Sequence, residues 1–259
     1  TMLAAYHDNA LDLARDYINQ NKPTQALAFL EGQKNLIWSQ ATPQTKARLL
    51  MAMGAAKLGL GEERRAAELF LEAVQFTPDD EKANCNAAVA CFLLDDNAQA
   101  LRRAIDVLDR NPANYQARSV AIQSSSEPLE RIVESLPAFC TDNRDVAFAL
   151  GAVARRQGNL QEAVRWYRAA AKGEDCLPDI KAALAHAQLE LIQDSPDSPL
   201  QLAQVTDDLQ GSLKEIEALL TDAWTAMTED DARRSRISWV INRGVVRRLL
   251  GNPSEAQVD

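Results

Sequence analysis

The amino-acid sequence predicts an all-α protein, built as an α-solenoid of antiparallel helix pairs. Three observations predict it. Apolar residues recur at helical spacing, and no convincing alternating run marks a strand. The ten glycines and ten prolines sit between the apolar-periodic segments rather than inside them. Landmarks also return at a fixed interval: Ala66 recurs as Ala100 and Pro78 as Pro112, both 34 residues further on. A period of that size marks a stack of helical hairpins, none of which can bury its apolar face alone.

The units can be justified in chain order. In 7–38, "ALDLARDYINQNKPTQALAFL" sets Tyr17 against Lys57 and Ala26 against Ala66 of the next unit. Unit 47–80 holds Gly54, Gly61, Ala66, Phe70, Ala73 and Pro78. Gly54 and Ala66 are expected where the two helices cross, since larger side chains there would hold the axes apart. Gly61 is expected to close the first helix in a left-handed cap. Phe70 fills the space left by the small residues, and Pro78 ends the second helix. Unit 81–114 repeats the pattern with Ala100 and Pro112.

Segment 115–143 is five residues short of the period and reads as a shortened helical pair. "SSSEP" replaces the glycine turn, Pro128 falls in the first turn of the following helix, and Pro137 ends it. In 144–177, Gly151, Gly158, Ala163, Tyr167 and Ala170 reproduce the 47–80 landmarks. Segment 178–236 reads as an oversized pair, one helix from Pro178 to about Gln193 and another from about Pro199 to Thr228, joined by "DSPDSP". In 237–259, Gly244, Gly251 and Ala256 match Gly54, Gly61 and Ala66, but "SEAQVD" is too short for a second helix. A longer protein continuing downstream is the expectation there.

These residues resemble the tetratricopeptide repeat family, whose pattern is W-x2-L-G-x2-Y, A-x3-F, A and P. The 47–80 unit matches it as Leu50, Met53, Gly54, Lys57, Ala66, Phe70, Ala73 and Pro78, departing at Leu50 for the Trp and Lys57 for the Tyr. The resemblance implies a right-handed superhelix of about five to six repeats, a single solenoid over 1–259. It is strongest over 47–80, 81–114 and 144–177, and weaker over 7–38, 115–143 and 178–236.

Composition limits the functions. Apolar residues are 46% and charged residues 25% of the 259, ordinary for a globular chain. A net charge of −9 argues against general nucleic-acid binding, whose affinity comes mainly from Lys and Arg on phosphates. Six arginines do cluster at 233, 234, 236, 243, 247 and 248. They read as a solvated face pairing with acids near Asp207–Asp208 or Glu215–Glu217. Cys85, Cys91, Cys140 and Cys176 have no metal or redox spacing, and fit buried thiols in a reducing, cytoplasmic compartment. Only His7 and His186 exist, neither with a partner at metal-ligand spacing. No cofactor, metal or catalytic site is nominated, and no run of about 18 apolar residues suggests a membrane span.

The resemblance also places a binding face. In such repeats the first helices line a concave groove through positions 2, 5, 9 and 12. In this chain those are Arg48, Met51, Ala55 and Leu58, then Lys82, Cys85, Val89 and Phe92, then Asp145, Phe148, Ala152 and Arg155. The groove's middle is apolar, with charge along one edge. The family's carboxylate clamp is matched only in part, by Lys82 and Asn86, because Met51 and Ala55 stand where its Lys and Asn would be. Such a groove suits a peptide or an amphipathic partner helix. Packing of the same residues on a following repeat, an N-terminal helix or a second copy is the other reading, as is self-association through open solenoid ends. The expected role is a protein–protein interaction scaffold without catalysis. The alternative is a regulatory or substrate-recruiting arm of a larger enzyme, such as a glycosyltransferase or envelope-assembly protein.

Overall fold

The structure, a computed structural model, describes residues 2–140, 142–173, 176–194, 207–227 and 236–250, with side chains from residue 10 on except those of 207 and 237. Among these residues there are thirteen α-helices, one 3-10 turn and no strand. They fall into two compact units, one up to Ser125 and one from Ser126 on. The first carries α1 (Met2–Asn19), α2 (Pro23–Ile37), α3 (Pro43–Gly59), α4 (Glu63–Phe76), α5 (Glu81–Leu93), α6 (Asn97–Arg110) and α7 (Tyr115–Ser124). The second carries α8 (Leu129–Ser135), α9 (Arg144–Arg156), α10 (Leu160–Ala170), α11 (Pro178–Gln193), α12 (Asp207–Thr225) and α13 (Ile237–Leu249). The fold is the all-α solenoid class that the sequence predicts.

One turn chemistry closes four of the hairpins. After α3, Gly61 takes φ 76°. Its amide bonds Leu58 at 2.9 Å, while the Glu62 amide reaches Lys57 at 2.9 Å. This pair of bonds satisfies helix-end carbonyls that would otherwise lack donors. The same two bonds form after α9, where Gly158 has φ 78° and Asn159 reaches Ala154. They form after α1 at Asn21 (φ 56°) and after α5 at Asp95 (φ 61°). A short polar side chain there accepts the left-handed backbone that glycine takes without cost. The following residue then starts the second helix. Asp96 accepts from the Gln99 amide at 3.1 Å, and Asn159 from the Glu162 amide at 3.2 Å.

The connections between hairpins are capped in turn. Thr42, Asp80, Asn114 and Asn143 each accept an amide of the helix they precede, as N-cap residues do. Asp80 and Asn114 keep the interval of 34, and Asn143 follows after only 29. Helices α7 and α8, which fall within that interval, are short, with 10 and 7 residues. Pro128 is the N-cap of α8 rather than a residue of its first turn. Helix α8 ends at Ser135, ahead of Pro137, and a 3-10 turn follows at Ala138–Cys140.

Gly32, Gly54, Gly151, Gly211 and Gly244 lie inside helices, against the expectation that glycines only separate them, and two of them sit under a neighbouring aromatic ring. A Cβ on Gly54 in α3 would run into the Phe70 ring of α4, with Cδ1 at 2.8 Å. One on Gly151 in α9 would meet Tyr167 of α10, with Cδ1 at 2.6 Å. The aromatic ring thus presses directly on the glycine backbone. Ala66, one turn before Phe70, is fully buried and clusters with Ala67, Phe70 and Ala90. A second aromatic contact ties α2 to α4, where Trp38 meets the Phe76 ring edge-on at 5.8 Å. Lys34 and Lys46 lie over the Trp38 ring at 4.6 and 5.2 Å.

In the second unit, α11 spans Pro178–Gln193 as expected. Helix α12 covers Asp207–Thr225, and the linking residues 195–206 lie outside the described residues. So do 228–235, with two arginines of the cluster, and 251–259, with Gly251 and Ala256. The described arginines are largely engaged. Arg247 Nε donates to Glu217 at 2.8 Å, an acid of the expected region. Arg236 donates instead to Asp179 at 2.9 Å, and Arg243 is 8% exposed.

Candidate functional site: an inner groove of the first unit

In the first unit, the first helices of successive hairpins, α1, α3, α5 and α7, lie side by side. Their shared face encloses a cavity of about 370 Å³. Helix α3 contributes Arg48, Met51, Ala52, Ala55 and Leu58. Lys82, Asn86 and Val89 come from α5, one helix further on. From α1 come Leu11, Asp12, Arg15, Ile18 and Asn19; from α7, Gln116; and Phe70 of α4 closes the back. The volume lies in the range of ligand pockets, roughly 300–1,000 Å³.

Polar groups cluster around an apolar floor. Asn86 is 7% exposed, and its Oδ1 accepts from Gln116 Nε2 at 3.2 Å. Asp12 pairs with Arg15 at 3.0 Å. Glu81 is turned elsewhere: its Oε1 accepts from Asn111 and Asn114 at 2.8 and 2.7 Å. Those two hydrogen bonds hold its carboxyl below the usual carboxylate value, the Asn114 bond most of all.

Two of the positions named on α5 lie off the cavity wall. Cys85 is 1% exposed and packs with Val107 and Ala117. Burial pushes its thiol up to about 12, so it is a core group rather than a surface one. Phe92 is half-buried against Ala88, Cys91, Ala100 and Val120, a cluster joining α5, α6 and α7. The α1 residues were not named from the sequence, although its own register reached them. Tyr17 aligned with Lys57 makes Leu11, Arg15 and Ile18 positions 5, 9 and 12 of that hairpin, and all three line the cavity.

The remaining named residues belong to the second unit and are tied to its own side chains. Phe148 packs on Tyr167 with ring centroids 5.5 Å apart. Ala152 is half-buried on the same helix. Arg155 Nε donates to Glu190 on α11 at 2.8 Å. His186, one turn before Glu190, is half-buried, and among the described residues its Nε2 has no hydrogen-bond partner. Burial, with Arg155 nearby, lowers its pKa. Among the described residues no cluster of His, Cys, Asp or Glu could hold a metal, and no helix is long and apolar enough to cross a membrane.

The fold matches solved structures. TTC0263, a thermophilic tetratricopeptide repeat protein of Thermus thermophilus, superposes with a TM-score of 0.55, covering 76% of this chain and 98% of that one at 18% identity. The fold is that of the tetratricopeptide repeat. NprR in complex with its cognate peptide NprX superposes with a TM-score of 0.58, covering 94% of this chain and 73% of that chain at 12% identity. No protein-family model and no curated protein matches the sequence. In tetratricopeptide-repeat terms, the cavity lies on the first helices, where position 2 is Arg48, Lys82 and Gln116 in three successive hairpins.

Proposed function

We propose that this chain is a protein-interaction scaffold that holds a peptide or partner helix in the inner groove of its first unit. The observation that carries this reading is the cavity itself, walled by four successive first helices. A concave, mostly apolar surface with a few polar groups is the form that peptide-binding grooves take. The likeness in fold to NprR, solved with its cognate peptide, adds support. Met51, with its flexible thioether, lets such a floor adapt to its occupant.

Ala55 offers the test. It is half-buried and faces the cavity, so Ala55→Trp fills the groove while leaving the core clusters in place. Peptides selected from a random library against the wild-type chain are expected to lose at least about tenfold in affinity for this variant. Circular dichroism should show unchanged helicity. Equal binding by both proteins would place the peptide site elsewhere.

A further inference from the structure

We infer that Lys34 and Lys46, gathered on the Trp38 ring, form an anion site outside the groove, and that its ligand carries two linked phosphoryl groups. The site stands apart from the groove, since none of these residues lines the cavity. Trp38 directly follows α2, Lys34 lies in the last turn of that helix, and Lys46 lies near the start of α3. Packing of the first two hairpins brings them together. Trp38 rests on two buried clusters, one built from α1, α2 and α3 and the other from α3, α4 and α5. The Phe76 ring meets it edge-on. Lys34 Nζ is 4.6 Å from the Trp38 centroid and Lys46 Nζ 5.2 Å, with Lys46 also 5.7 Å from the Phe76 centroid.

One cation over an indole is an ordinary contact. A second on the same ring adds repulsion. Sharing that centroid puts the two ammoniums within about 10 Å of each other, the screening length at about 0.1 M salt. No carboxylate offsets them. Neither lysine makes an ion pair or hydrogen bond among the described residues, and the first turn of α3 holds no acid. By contrast, Lys57 at the other end of α3 pairs with Glu62 at 2.9 Å. Two half-buried lysines without an acid stand out in a chain of net charge −9, and together they draw an anion. Lysine chemistry selects its class. An ammonium is a compact point charge without the fork by which arginine grips a carboxylate, and it suits phosphoryl oxygens. Two such charges on one ring match two linked phosphoryl groups, one for each.

The chain has four tryptophans, and Trp38→Phe assigns the Trp38 indole in proton–nitrogen correlation spectra of the labelled full chain. Inorganic diphosphate, ADP, orthophosphate and sodium chloride of matched ionic strength are titrated in turn. Diphosphate is expected to shift the Trp38 indole saturably and to leave the other indoles in place. It should bind at least about tenfold more weakly to Lys34→Gln/Lys46→Gln, at unchanged helicity. Lys34→Arg/Lys46→Arg, which keeps both charges, should still bind. ADP binding as tightly as diphosphate supports an esterified ligand, and weaker ADP binding a free one. Orthophosphate binding as tightly as diphosphate would overturn the pair of phosphoryl groups. If chloride reproduces the shift, or the glutamine variant binds as well as wild type, there is no site. A leucine–glutamate peptide that binds more tightly than diphosphate at the same indole would make this a protein contact and overturn the assignment.

Discussion

The two compact units share one scaffold and differ on the face it presents. Gly54 under Phe70 and Gly151 under Tyr167 are the same contact made twice. Gly61 and Gly158 close their hairpins with the same pair of bonds. At repeat position 12, however, the first unit has Leu58 in the wall of an open cavity, whereas the second has Arg155 bound to Glu190. At position 5, Met51 faces the cavity and Phe148 packs against Tyr167 with the rings tilted by 49°. The landmarks that build the hairpin lie between its helices, and the residues that define the groove lie on one outer face. The two sets can vary separately.

The shared contact should give the largest effect. Gly54→Val is expected to lose about 1–3 kcal/mol through overpacking against Phe70, and Gly151→Val a similar amount against Tyr167. Thermal unfolding gives the magnitude. Hydrogen exchange should localise the loss to α3–α4 in the first variant and α9–α10 in the second. Equal loss of protection everywhere in both would mean that the units do not respond separately.

The hairpin turn comes next. Gly61→Ala forces a Cβ into the left-handed region and should cost about 1 kcal/mol. Asp95→Gly, at φ 61°, should gain a few tenths of that. Denaturant titration of both variants checks the opposite signs, and a loss at Asp95 would show that its side chain matters more than its backbone.

Smaller effects should separate the faces. Arg155→Met breaks the ion pair with Glu190. Both side chains are well exposed, so the cost should stay below about 1 kcal/mol, read by chemical denaturation. It should leave peptide binding to the first unit unchanged. A shift in peptide affinity would contradict the placement of the site.

Acid should act on the second unit as well. The folded pKa values of His186 and Glu190 both lie below their ordinary values of 6.5 and 4.5. Desolvation is the main cause for His186, and the Arg155 hydrogen bond for Glu190. The unfolded chain therefore takes up protons first as pH falls. Their contribution is complete above about pH 6.5 and is lost on acidification, from His186 first and from Glu190 below about pH 4.5. The melting temperature should decline from pH 7 to pH 5, and His186→Gln should flatten that decline. An unchanged slope in the variant would remove His186 from the account.

Much of this architecture was legible in the residues. Ala66, Ala100, Pro78 and Pro112 mark the period because each hairpin needs small side chains at its crossing and a stop at its end. Gly61 announced the left-handed turn, since glycine takes that backbone without strain. Asn21 and Asp95 make the same turn less visibly, as ordinary polar residues. The α1 wall was reachable through the register of Tyr17 but carries a weaker repeat signature. Cys85 and Phe92 follow the groove register yet pack against α6 and α7, because periodicity fixes where a residue sits along a helix and not which neighbour its side chain meets.

By itself the sequence determined the helical class, the hairpin interval and the places where glycine or alanine must stand. Those depend on local sterics and on spacing along the chain. Only the tertiary structure decided that four first helices enclose a cavity in the first unit, while Arg155 reaches Glu190 in the second. Both depend on side chains more than 30 residues apart in sequence meeting across neighbouring hairpins, a contact that no local pattern encodes.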